Sequence, residues 1–548
     1  MINKAWAFAL LLCAAVVWAQ PDHSSMTSKK RPAAIIAGLG DVHHPIHTKV
    51  LDAQQFFDQG LALIYAFNHE EAARSFRRAA ELDPASPMPY WGIALAVGPN
   101  YNDTDIDHER EKTAYEAIQK ARQLAVTAPP RERDYVEALA HCYSKDPQAD
   151  LKKLAGDYRA AMKQLTARYP DDLDAAALYA ASIMNLHPWD LWTLEGKPAD
   201  GTEEIVAVLQ SVLRRDPAHL GANHFYIHAV EASPHPELAL ASARRLETAA
   251  PAAGHLAHMP AHIYERIGNY DGAVQANRAA IKADRAFIQS AGTEGGLYDL
   301  MYYSHNLHFL ALACSMEGNF ACARDAAEKL VAHVEPQAKQ MTMLEWFLPM
   351  QPWVLARFNR WDEILKSPAP DAELLIDTAL WHYARGLAYV GGHDLAKMDE
   401  ERKTLAAAIP KLPEGTPFGF NSAAAVLNLA LNALDARMAE ARGDRKTAIT
   451  LWKKAAALQD ALHYDEPPDW YYPVRESLGG ALFRDHQYAE AEKVFREDLL
   501  HNPGNPRSLF GLWQTLKAQN RTADADSAHQ KFLAAWKNAD VQLQEKDL

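Results

Sequence analysis

Two histidines and a glutamate recur in the order H-x3-H-x2-E, as His224, His228 and Glu231 and, 34 residues on, as His258, His262 and Glu265. On a helix, intervals of three and four return to one face, so each set of side chains projects together. Three further histidines keep the same columns. His224, His258 and His308 lie fifteen residues before Ala239, Ala273 and Ala323, and His255 and His305 lie eighteen before the last two alanines. Neutral imidazole with carboxylate suits Zn, Cu, Fe or Mn and is a poor cage for Ca or Mg. Seven histidines and two glutamates exceed what one ion needs. They fit a dinuclear centre, or one ion with neighbours that fix the imidazole tautomers. A structural role, or a polar ligand site without metal, stands beside these readings, because repeats also duplicate residues by descent. Against mere descent, Phe57 and Glu476 take the place of His224 in the first and last repeats.

The elements that must position these residues are helices. Apolar residues recur at helical spacing from about residue 50 onward, with almost no strand-like alternation. Gly60, Ala72, Phe76, Ala79 and Pro84 have the intervals of a 34-residue helix-turn-helix unit, and Gly479, Ala491, Phe495 and Pro503 repeat them, with Tyr488 in the turn. Pro217 and Pro251 are 34 apart, as are Ala239 and Ala273. Further turns fall at Gly268-Asn269-Tyr270, Gly318-Asn319-Phe320 and Gly443-Asp444-Arg445. Small residues suit close helix crossings, the aromatic fills the groove between helices, and proline ends the second helix. The spacing predicts an all-α solenoid.

These positions resemble the tetratricopeptide-repeat (TPR) superfamily. The stretches FNHEEAARSFRRAAELDP, YWGIALAVGPN, GHLAHMPAHIYERIGNYDGAVQAN and YDEPPDWYYPVRESLG are also similar to those of a subgroup of exported bacterial repeat proteins. The resemblance implies a right-handed superhelical solenoid and binding behaviour, and no particular chemistry. In that superfamily the histidine columns correspond to first-helix positions that line a concave groove. His187, Trp189, Asp190 and Tyr264 are expected beside the metal candidates there, with Trp189 and Asp190 in an insertion that either closes over the groove or caps apolar edges. Histidine, glutamate and tyrosine replace the basic clamp by which chaperone-binding members hold a carboxy-terminal peptide.

The chain has 548 residues, 49% of them apolar, and a formal net charge of −14. That length exceeds one compact core, and the acidic balance disfavours nonspecific binding to nucleic acid or anionic membrane. Residues 1–19 are expected to be a secretory signal peptide, with an apolar run too short to span a bilayer. Residues 20–50 are expected to be a flexible leader, in which His43, His44 and His47 are solvated, with reach to a metal as the alternative. Residues 51–548 are expected to form a single array with insertions near 98–108, 187–202, 288–304 and 409–421. Residues 464–473 add a Pro-rich connector. Cys142, Cys314 and Cys322 remain after cleavage; the last two are expected to be buried thiols, with pairing between two helices as the alternative. No H-E-x-x-H, P-loop, G-x-S-x-G or paired C-x-x-C occurs. The expected function is an exported, periplasmic or secreted scaffold. Its groove would take a peptide, protein or small molecule, with no nucleic acid partner and no stable membrane insertion. The alternative is a metalloenzyme of hydrolytic or oxidative chemistry.

Overall fold

The computed structural model describes residues 33–548 apart from 105 and 147. The expected signal peptide and the first part of the leader lie outside the described residues. From Leu51 to Ala535 helix follows helix, each packed on its neighbour. The sheet content among the described residues is one hairpin of two-residue strands, Pro417–Phe418 and Asn421–Ser422. The protein is an all-α, TPR-like array.

Local chemistry sets the turns. Gly268, Gly318 and Gly443 take positive φ, and Asn269, Asn319 and Asp444 then cap the next helix through their side chains. Phe67 holds the same left-handed place before the cap Asn68, at φ 53°. An aromatic there is uncommon and points to a local demand.

The repeat aromatics pack as their spacing requires. A Cβ on Gly60 would lie 2.6 Å from Phe76, and one on Gly92 2.4 Å from it. Phe495 meets Gly479 and Gly511 in the same way, at 2.5 and 2.2 Å. The two terminal repeats therefore use one crossing geometry.

The array also folds back on itself. Helix Leu220–Val230 packs on helix Leu51–Tyr65, where a Cβ on Gly221 would lie 2.4 Å from the Tyr65 ring. The C-terminal repeats reach the middle ones. Tyr270 Oη donates to the Pro503 carbonyl at 3.4 Å, Phe320 N to Asp540 at 2.7 Å, and Arg357 pairs with both oxygens of Glu476 at 3.1 Å. The histidine columns, expected along an open groove, are consequently inside the protein.

Two expectations are corrected. Residues 33–50 are anchored at three points, with Leu39, Ile46 and His44 buried and His44 Nδ1 2.8 Å from Asp174 Oδ2, while His43 and His47 are exposed as expected. Hydrogen bonds from the helix Leu51–Tyr65, such as Gln54 Nε2 to the His44 carbonyl at 2.8 Å, hold the segment down. Cys314 and Cys322 form a disulfide across the turn at Gly318, which brings their α-carbons to 5.8 Å. Among the described residues no helix is long and apolar enough to cross a membrane.

Candidate metal centre

Six of the histidines gather into two sets of three. The first is His224, His228 and His255, and the second His258, His262 and His305; in each, one nitrogen per ring lies within 4.8 Å of the others. His224 Nε2 is 3.1 Å from His255 Nε2. His258 Nε2 is 2.8 Å from His262 Nε2 and 3.0 Å from His305 Nε2. Each set takes an H-x3-H pair from one repeat and a third histidine from the next. Pro260 breaks the helix between His258 and His262, giving Gly254–His258 and Pro260–Arg266. A six-residue π-helical turn, Tyr298–Tyr303, leads into the helix that carries His305. Such turns are frequent at functional sites.

The opposite ring nitrogens determine the tautomers. His224 Nδ1–H donates to the Tyr65 carbonyl at 2.6 Å, and a carbonyl can only accept. Asn277 Nδ2 is committed to the Ala273 carbonyl at 2.8 Å, so its Oδ1 accepts from His258 Nδ1–H at 2.7 Å. His228 Nδ1 meets Glu231 Oε1 at 2.9 Å. In the neutral rings these bonds leave Nε2 of His224, His228 and His258 as bare lone pairs. The lone pairs point into the sets, and His228 Nε2 has no partner at all.

Burial keeps four of the six rings neutral. It lowers His224, His255, His258 and His305 well below the ordinary imidazole value, and neighbouring imidazoles lower them further. For His262 burial acts the same way, but Glu231 and Glu466 outweigh it and push the ring up to about 10. Burial raises Glu231, yet His228 and His262 bring it below the usual carboxylate range. Glu466 is pushed up to about 7 by burial, and Glu231 adds to the rise although His262 opposes it. Neutral imidazole is the form that ligates metal, so His262 must give up a proton to join its set.

Three of the expected ligands lie outside the two sets: Glu231, which hydrogen-bonds His228, and His308 and Glu265. His308 stands edge-on to Trp346 and Phe347, with ring centroids at 5.0 and 5.6 Å, and burial lowers it to about 3. It shares a column with His224 and His258, but its neighbouring repeat presents tryptophan and phenylalanine there. Glu265 shares its column with Glu231 and has no imidazole on it; burial and Glu466 push it up to about 8. It lines a small cavity of about 180 Å³ with Arg266, Tyr464, Glu466 and His501.

The insertions meet over the first set. Trp189, at φ 58°, lies between Tyr101 and Phe420, with centroids at 5.3 and 5.2 Å, and sets its edge against His228 at 5.5 Å. Its indole N–H donates to Asn102 Oδ1 at 3.2 Å, and Asn102 Nδ2 donates to Tyr302 Oη at 3.1 Å. Tyr302 stands edge-on to His255 at 5.2 Å, and Asp190 faces His463 at 3.7 Å. Phe67 lies against all three rings of the set from a turn position whose positive φ recurs at Asn359, His393, His486 and Asn520. Phe67, Tyr101 and Phe225 also line a cavity of about 640 Å³. His187 stands in the turn before Trp189, its carbonyl accepting from Asp190 N at 3.2 Å. Tyr264 lies elsewhere, with its hydroxyl on Glu247 and its ring against Gly272.

Asn277, Glu466, Phe67 and Tyr101 carry no repeat-column signature. Glu466 falls in the connector 464–473, and its only sequence signal is that a Pro-rich loop interrupts the array.

No protein family matches the sequence, and no curated protein does. Among solved structures, human IFIT1 with PPP-AAAA is 14% identical over 89% of this chain and 91% of that chain, with a TM-score of 0.33. The TPR domain of P58(IPK) is 10% identical over 86% and 99%, with a TM-score of 0.22. At these scores neither carries an argument about ligands. The class rests on the chain's own geometry: a TPR-like helical-repeat protein with two converging three-histidine sets.

Proposed function

We propose that this is an exported helical-repeat protein that binds two transition-metal ions, one in each three-histidine set. The observation that carries the reading is the convergence of ring Nε2 atoms within about 3 Å in a buried site, with His224 and His258 offering unprotonated nitrogens there. Without a cation or shared protons, such lone pairs repel one another in a low-dielectric interior. All-nitrogen donor sets favour Zn or Cu over Mn. Tyr65, Asn277 and Glu231 would supply the outer contacts that orient ligand imidazoles. The role that fits the array is binding: repeat proteins expose surfaces for partners, and a peptide, protein or small molecule is the partner class.

A second reading, a metalloenzyme, draws on one further observation. Three histidines leave a coordination position free, as catalytic metal sites do, and an aromatic wall separates the first set from a cavity large enough for a small molecule. Elemental analysis after export into the periplasm tests the common premise. Wild-type protein should carry at least two equivalents of transition metal. His224→Ala/His255→Ala should remove one equivalent and His258→Ala/His305→Ala another. Metal-free wild type that takes up neither Zn nor Cu refutes the reading.

A further inference from the structure

A third group of donors sits between the two histidine sets and shares His262 with the second. Glu231 spends Oε1 on His228, while its Oε2 lies 2.8 Å from His262 Nδ1. Glu466 reaches the same nitrogen from the connector 464–473. His262 Nδ1 stands at ion-pair distance from both carboxylates without hydrogen-bond geometry to either, and His262 Nδ1, Glu231 Oε2 and both oxygens of Glu466 are buried with no hydrogen-bond partner. The three residues are 1%, 1% and 4% exposed. The nearby cation is already engaged, since Arg266 donates to the carbonyls of Glu231 at 3.0 Å and Ser233 at 3.4 Å. Two buried carboxylates at one point are costly, and a single imidazole offers them at most one proton at Nδ1.

We propose that Glu231 Oε2, the Glu466 carboxylate and His262 Nδ1 hold a third divalent cation. The proposal rests on the two-ion reading, because His262 would then ligate the second histidine set through Nε2 and the third ion through Nδ1, bridging them as the imidazolate with both ring protons released to solvent as the ions bind. Two oxygens and one nitrogen make a harder donor set than three imidazoles. The class of ion it takes is zinc, manganese or iron(II), rather than copper(I).

The test titrates metal-free, full-length protein with Zn(II) and counts ions after desalting. Wild type should hold three equivalents, and Glu466→Gln, which keeps the shape and removes the charge, should hold two. Wild type holding two, with Glu466→Gln unchanged, overturns the third site and leaves the two-ion reading standing. Wild type holding none overturns both. Three equivalents in both proteins places the extra ion elsewhere and also overturns the assignment. If Glu466→Gln does not fold, anomalous diffraction at the zinc edge on wild-type crystals decides: a peak among Glu231, Glu466 and His262 is expected, and its absence overturns the site.

Discussion

Replacing Asn277 with alanine should weaken one metal site and spare the other. Asn277 is fully buried and touches no candidate ion; it accepts from His258 Nδ1–H at 2.7 Å and is held by the Ala273 carbonyl at 2.8 Å. Its removal frees the His258 ring to rotate and to place its proton on Nε2, where a metal would bind. Loss of such an outer contact costs about 10- to 100-fold in metal affinity, or about 1.4–2.8 kcal/mol. The assay is competition with a chromogenic chelator in two backgrounds. With the first set removed by His224→Ala/His255→Ala, Asn277→Ala should raise Kd by that factor. With the second set removed by His258→Ala/His305→Ala, it should leave Kd unchanged. Asn277→Asp should restore or tighten binding, because a carboxylate accepts more strongly from Nδ1–H. Equal weakening in both backgrounds would mean general damage, and no weakening in either would mean that Asn277 does not orient His258; both refute the reasoning.

Gly254→Ala should disturb both histidine sets at once. Its Cβ would lie 1.8 Å from Asp284 Oδ1, and the helix that must move carries His255 and His258. A loss of about 1–3 kcal/mol in urea unfolding, together with loss of both ions, is expected. His308→Phe should flatten acid sensitivity. A folded imidazole near 3 against about 6.5 unfolded means that only the unfolded chain gains this proton as pH falls through 6.5, so wild type loses stability there. The gap between variant and wild type should move by about 2.7 kcal/mol toward the variant between about pH 7.5 and 4.5, read by urea unfolding of metal-free protein. Arg357→Leu should cost about 3–5 kcal/mol, because Glu476 would stay buried without its bidentate partner; calorimetric Tm checks it.

The helical array was legible because its rules are local. Small residues and aromatics at fixed intervals act within one helix pair, and the Phe76 and Phe495 packing follows from them. Six of the histidines were legible for the same reason, since a column in a repeat is a place in space. His308 shows the limit: its column is right, but the neighbouring repeat presents Trp346 and Phe347 instead of another imidazole. Glu466, Asn102 and Phe420 reach the centre from loops outside the repeat register, and no periodicity encodes them. The burial of the site was equally hidden, because it follows from the contact of helix Leu220–Val230 with helix Leu51–Tyr65.

That contact changes how the chain should come apart. An open stack of repeats melts unit by unit, each depending on its immediate neighbours. Here Tyr65 supplies an acceptor to His224, and Glu466 stands against His262, so one small volume draws on segments about 400 positions apart. Partial unravelling from either end would dismantle it. The array should therefore lose its structure in one cooperative step, slow to form because the distant ends must meet, and a fragment bearing all six histidines would not hold them in place.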